Sequence, residues 1–273
     1  MPDSKSDLPD ACLFQLAADA PPPFTVQNPE STLPLLLVCD HASRDIPACL
    51  GDLGLDPIAR HCHLAWDIGA GALTRALATR LGVTAVFAGY SRLVMDCNRQ
   101  LTDPSASLEF GDGVEVPGNI GLSDVEKAAR AQALYWPYHH AIDAEIKRLT
   151  VTGVPPAMIA IHSFTPVLDG VARPWNVGVL WDTDSRIATP MISQLRQSGF
   201  EVGDNQPYSG RAPQDFTIDH HAEAAGLPHV GLEIRQDLIV EAVGVERMAV
   251  VLAEIIPKIM AAVVPNGSRI SAC

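Results

Sequence analysis

Four apolar runs of strand length dominate the chain, and each gives way abruptly to polar residues. They lie at 33–39 (LPLLLVC), 83–89 (VTAVFAG), 157–161 (AMIAI) and 229–234 (HVGLEI). Apolar residues that run continuously, instead of alternating, mark strands covered on both faces. Such strands need helices above and below them. Helical spacing follows the first run, with Ile68, Leu73, Leu77 and Leu81 on one stripe, a start near Asp67 and a stop at Gly82. Ser123 and Glu126 form a capping box that opens a long helix towards Leu149. Further helices are expected at 187–199 and from about Val243, and a further strand at 175–181. Strands alternating with helices predict a three-layer α/β/α sandwich with a mostly parallel mixed sheet.

The chain has 273 residues, enough for one large domain. We expect an N-terminal extension over 1–32, rich in Pro and Asp and lying on the surface. A single α/β domain over 33–265 and a C-terminal tail over 266–273 follow. Residues 101–121 and 203–217 read as loops. The net charge of −13 and the absence of a basic stripe argue against nucleic acid as a partner. The first ten residues lack an apolar core, so they do not read as a signal peptide. The apolar segment 248–264 carries Glu254, Pro257 and Lys258 and reads as a core helix, not a membrane span. Cysteines at 12, 39, 49, 62, 97 and 273 include no CxxC pair, which fits reduced thiols and a cytoplasmic setting.

Ligands in parallel sheets bind beyond the carboxyl ends of the strands. Polar clusters stand just there, at 40–44, 90–99 and 162–165, with Glu233 near the end of a fourth strand. There is no phosphate loop and no nucleophile elbow. A metal site fits better. His41 and His162 follow buried strands, and Asp67 opens a helix; a catalytic zinc takes three such ligands and keeps a position for water. Glu233 is placed to take the water's proton. Each of these residues also has a structural reading: a packed strand-end histidine, a helix N-cap for Asp67, a partner of Arg235 for Glu233. His63 rivals Asp67 as a ligand, and His139, His140, His220 and His221 are weaker candidates. Arg44, Arg92, Arg99 and Arg173 stand in or beside the polar loops, and arginine forks suit a carboxylate-bearing substrate.

The blocks CDHASRDIP, HLAWDIGAGALTRALATRLG, YSRLVMDCNR, PYH, IHSFTP, RPWNVGVL, DNQPYSG and LEIRQDLI, read in that order between about 33 and 260, resemble the N-formylglutamate amidohydrolase family. That family resembles in turn the zinc carboxypeptidase and aspartoacylase group, with a zinc-hydrolase (phosphorylase/hydrolase-like) fold. The resemblance implies a zinc-dependent hydrolase that releases formate from N-formyl-L-glutamate, a small acidic substrate, in histidine degradation. It assigns His41 and His162 as metal ligands and Glu233 as general base. In the carboxypeptidase pattern the acidic ligand stands three residues after the first histidine, where this chain has Arg44. Asp67 is then the expected third ligand, as in cell-wall amidases of similar fold, ahead of His63 and Asp45. Asn98 and Arg99 match the pair that clamps a substrate carboxylate. Arg92 is expected at the carboxylate or the oxyanion, and Arg44 and Arg173 at the second carboxylate. The alternatives are a deacylase of another N-acyl amino acid, a small-peptide amidase, or a non-catalytic metabolite-binding protein.

Overall fold

The computed structural model describes residues 14–151, 153–211, 215–264 and 269–271. Seven strands form one sheet: β1 (Phe24–Gln27), β2 (Leu35–Cys39), β3 (Thr84–Ala88), β4 (Ala157–Phe164), β5 (Val177–Leu180), β6 (Val202–Asp204) and β7 (His229–Arg235). Their order is β1-β3-β2-β4-β7-β5-β6. The four central strands β3, β2, β4 and β7 run parallel, β1 is antiparallel to β3, and β5 is antiparallel to β7. The expected mixed, mostly parallel sheet is therefore present.

Burial of both faces explains the continuous runs. In β2, Leu35, Leu37 and Cys39 point into one core with α1 (Ala70–Leu81), α4 (Ala188–Gln197) and α5 (Ala242–Val263). Leu36 and Val38 point into the other, against Tyr138, Ile142 and Leu149 of α3 (Trp136–Thr150). The capping box at Ser123 and Glu126 makes both of its hydrogen bonds and starts α2 (Asp124–Arg130). A π-helical stretch, Ala131–Tyr135, joins α2 to α3. It sets the register of the next turns. Tyr135, Tyr138 and His139 all reach under the carboxyl edge of the sheet, where they bond Arg99 O, Asp40 Oδ1 and Cys97 O.

Three expectations need correction. Regular structure begins before 33: β1 pairs with β3, and Gly89 N donates to Pro23 O at 2.8 Å. A four-residue strand within a Pro- and Asp-rich stretch has too short a pattern to stand out. The expected loop at 203–217 begins within strand β6. The strand at 157 runs to Phe164, so His162 lies inside β4 and not after it. Cys12, Cys273 and most of the expected tail lie outside the described residues.

Helix α1 starts at Ala70, behind Gly69, whose φ is 83°. A Cβ on Gly69 would meet Ile239 O at 2.2 Å. Gly69→Ala combines left-handed strain with a backbone clash. We predict a loss of roughly 2 kcal/mol or more in urea unfolding. Gly199→Ala has a similar φ of 86° but open space around the added methyl, so it should lose only about 1 kcal/mol. Equal losses would refute the clash.

Candidate metal centre and substrate cavity

Because the four central strands are parallel, their carboxyl ends converge on one edge. His41 follows β2, the loop after β3 carries Arg92 to Arg99, and the β4–β7 register sets Glu233 beside His162. Asp67 is delivered by the turn ahead of α1, where its amide donates to His41 O at 3.0 Å. Its side chain does not cap the helix, since Gly69 is the N-cap. Its carboxylate turns inward instead.

Asp67 Oδ2 lies 2.9 Å from His162 Nδ1 and 3.3 Å from His41 Nδ1. Ser163 N donates to the same oxygen at 3.3 Å. The far nitrogens of both imidazoles also face carboxylates. His41 Nε2 lies 2.8 Å from Asp96 Oδ1, and His162 Nε2 lies 3.1 Å from Asp40 Oδ2. Asp40 is held in turn by the hydroxyls of Tyr138 and Thr217, at 2.8 and 2.7 Å. An imidazole that donates one N–H to a carboxylate presents its other nitrogen as a lone pair, the usual outer support of a metal-bound histidine. Here one atom from each of His41, Asp67 and His162 lies within 4.8 Å of the others, all three residues buried, and both Nδ1 atoms stand against Asp67 Oδ2. Two nitrogens and one carboxylate oxygen, each backed by a fixed partner, fit a divalent metal.

The charges reinforce one another. Burial works against ionisation of Asp67, but His41 and His162 outweigh it and hold its carboxyl well below the usual range. Burial likewise opposes Asp40, and His162 with Thr217 brings it down to about 2. His162 is pushed well above the usual histidine range, because Asp40 and Asp67 outweigh burial. Burial pushes Glu233 up to about 8; His162 opposes the rise and Asp67 adds to it. Glu233 Oε2 is buried and makes no hydrogen bond, so the group carries a proton site without a protein partner. Arg235 does not pair with it but with Asp237, at 2.7 Å.

A cavity of about 370 Å³ opens here, lined among others by Arg92, Asn98, Arg99, Tyr208, Asp215 and Glu233. Arg92 Nη2 binds Asp96 Oδ2 at 2.9 Å, and its Nη1 stands 3.7 Å from Asp67 Oδ1 and 3.4 Å from His41 Nδ1. His63 lines the same cavity but is drawn away from the triad by Asp112, at 2.9 Å. Arg173 stands behind the wall, donating to the Tyr208 hydroxyl at 3.0 Å. Arg44 is exposed and stacks on Trp66, and neither it nor Asp45 lines the cavity. His139 and His221 are buried below it, bonded to each other at 2.9 Å. Burial pushes the Cys39 thiol up to about 12, so it offers no thiolate.

Two outer carboxylates were missed from the residues alone. Asp40 adjoins His41, and Asp96 stands two residues before Asn98 and four after Arg92; those blocks were the available signal.

The model of the N-formylglutamate amidohydrolase family matches residues 33–240. Among solved structures, gene product Atu2144 from Agrobacterium tumefaciens is 36% identical, with a TM-score of 0.86 over 89% of this chain and 96% of that one. N-formylglutamate amidohydrolase from Ralstonia eutropha JMP134 is 21% identical, with a TM-score of 0.63 over 88% and 98%, a likeness of fold. No curated protein matches the sequence. With three quarters of its length under the family model and a relative above one-third identity along most of the chain, this protein belongs to the N-formylglutamate amidohydrolase family and is an amidohydrolase.

Proposed function

We propose that the protein is a metal-dependent hydrolase of N-formyl-L-glutamate, yielding formate and L-glutamate. The observation that carries this reading is the meeting of His41 Nδ1, His162 Nδ1 and Asp67 Oδ2 beside the unpartnered carboxyl of Glu233. A divalent metal, zinc by its donor set, supplies polarisation of a carbonyl and a water acidic enough to lose its proton near neutral pH. Glu233 takes the proton of the attacking water and returns it to the leaving amine. Burial raises its pKa, which suits the return of the proton to the amine. Arg92, fixed by Asp96, faces the developing oxyanion. Asn98 and Arg99 orient a substrate carboxylate from the cavity wall. The product formate and glutamate suit a place in histidine degradation, and small acidic N-acyl amino acids are the substrate class.

Formate release from N-formyl-L-glutamate should be lost on chelation and restored by added Zn²⁺. Turnover indifferent to chelation would remove the metal from the reading. Glu233→Gln keeps shape and metal ligands and should lower kcat by about 10²–10⁴ with metal content retained; near-native turnover would remove Glu233 from the proton path.

Glu233 also makes a stability prediction for the metal-free protein. Its folded pKa lies above its unfolded value, at about 8 against 4.5. The folded state therefore binds the extra proton, and stability falls as pH rises through that window. Glu233→Gln should raise Tm relative to wild type at pH 9, with the gap closing towards pH 5. A gap that widens towards pH 5 would contradict the burial of an unpaired carboxyl.

A further inference from the structure

Asp215 lies at the cavity wall. Asn98 Nδ2 donates to Asp215 Oδ1 at 3.1 Å, and Arg99 Nη1 donates to the same oxygen at 3.4 Å. These are the two side chains proposed above to clamp the substrate. Both contacts are longer than the 2.7–2.9 Å of a strong charge-assisted bond, and both use one oxygen, where a guanidinium fork would engage two. The carboxylate is one-third exposed, so water competes for it.

The two residues after it are held in place. Phe216 N donates to Asn98 O, Thr217 N to Asn98 Oδ1, and Thr217 Oγ1 to the buried Asp40. Thr217 cannot move away without breaking its bond to Asp40, which supports His162. The carboxylate itself needs only a side-chain rotation to leave.

Resting on the clamp reading, we infer that Asp215 is a built-in competitor for the substrate carboxylate, a latch that closes the Asn98–Arg99 seat until an acidic substrate displaces it. In the resting protein the latch neutralises Arg99 in a cavity that already holds Asp67 and Glu233. A ligand without a carboxylate gains nothing from Arg99, because it cannot replace the charge it would expel. The latch thus sets a threshold that a substrate anion crosses by making the two-oxygen fork that Asp215 does not make.

The test compares wild type, Asp215→Asn and Arg99→Ala on N-formyl-L-glutamate and on its two mono-amides. Removing a partly exposed, single-oxygen competitor should lower KM for N-formyl-L-glutamate about twofold to fivefold in Asp215→Asn. The same gain should appear for the mono-amide that keeps the clamped carboxylate and vanish for the one that lacks it. A KM that rises in Asp215→Asn would show that Asp215 instead positions Arg99, and an unchanged KM would show that it is a bystander. Either overturns the latch. Asp215→Ala, with L-glutamate binding followed by calorimetry, repeats the comparison if the asparagine variant folds poorly. The clamp has its own outcome. If Arg99→Ala weakens all three substrates equally, the clamp reading fails. If it spares one mono-amide while Asp215→Asn leaves KM unchanged, only the latch fails.

Discussion

One carboxylate oxygen organises the centre. Asp67 Oδ2 takes contacts from the Nδ1 atoms of His41 and His162 and from the Ser163 amide. It can do so only because Asp96 and Asp40 hold the opposite nitrogens of the two rings. Burying three carboxylates beside two imidazoles is costly unless charges alternate and every group has a partner. The strand ends satisfy both conditions. Each histidine lies between two acids, and Tyr138, Thr217 and Arg92 complete the outer layer. Glu233 Oε2, in the lining of the cavity, makes no hydrogen bond among the described residues.

The fold serves this arrangement through direction and register. Four parallel strands bring their carboxyl ends to one edge, and register sets Glu233 level with His162. Helix α1 contributes through the residue before it. Gly69 turns the chain so that Asp67 leaves the helix axis and enters the edge of the sheet. Helix α3 contributes from below: Tyr135, in the π-helical stretch ahead of it, and Tyr138 and His139 meet two segments of the site, residues 97–99 and Asp40. An apolar core packs against each face of the sheet beneath these positions.

Much of this was legible in the residues. Continuous apolar runs locate β2, β3, β4 and β7, because double-sided burial leaves a pattern that needs no tertiary knowledge. The polar residues ending those runs identified His41, His162 and Glu233, and the structure brings them together with Asp67. What stayed hidden depended on partners distant in sequence. Strand β1 is short and gains its order from β3. Asp40 and Asp96 look like ordinary loop acids until the histidine rings are oriented. Arg44 looked equivalent to Arg99 by chemistry, and only the path of its loop carries it away to Trp66. Asp215 has no pattern of its own, since its meaning comes from Asn98 and Arg99 more than a hundred residues earlier.

In the proposed centre both imidazoles present Nδ1, not Nε2, to a metal shared with Asp67. Anomalous diffraction at the zinc edge from crystals grown with Zn²⁺ tests it most directly. One peak is expected within bonding distance, about 2.0–2.2 Å, of His41 Nδ1, His162 Nδ1 and an Asp67 oxygen, with both Nε2 atoms still on Asp96 and Asp40. A peak on the Nε2 side of either ring, or at His63 in place of Asp67, would contradict it.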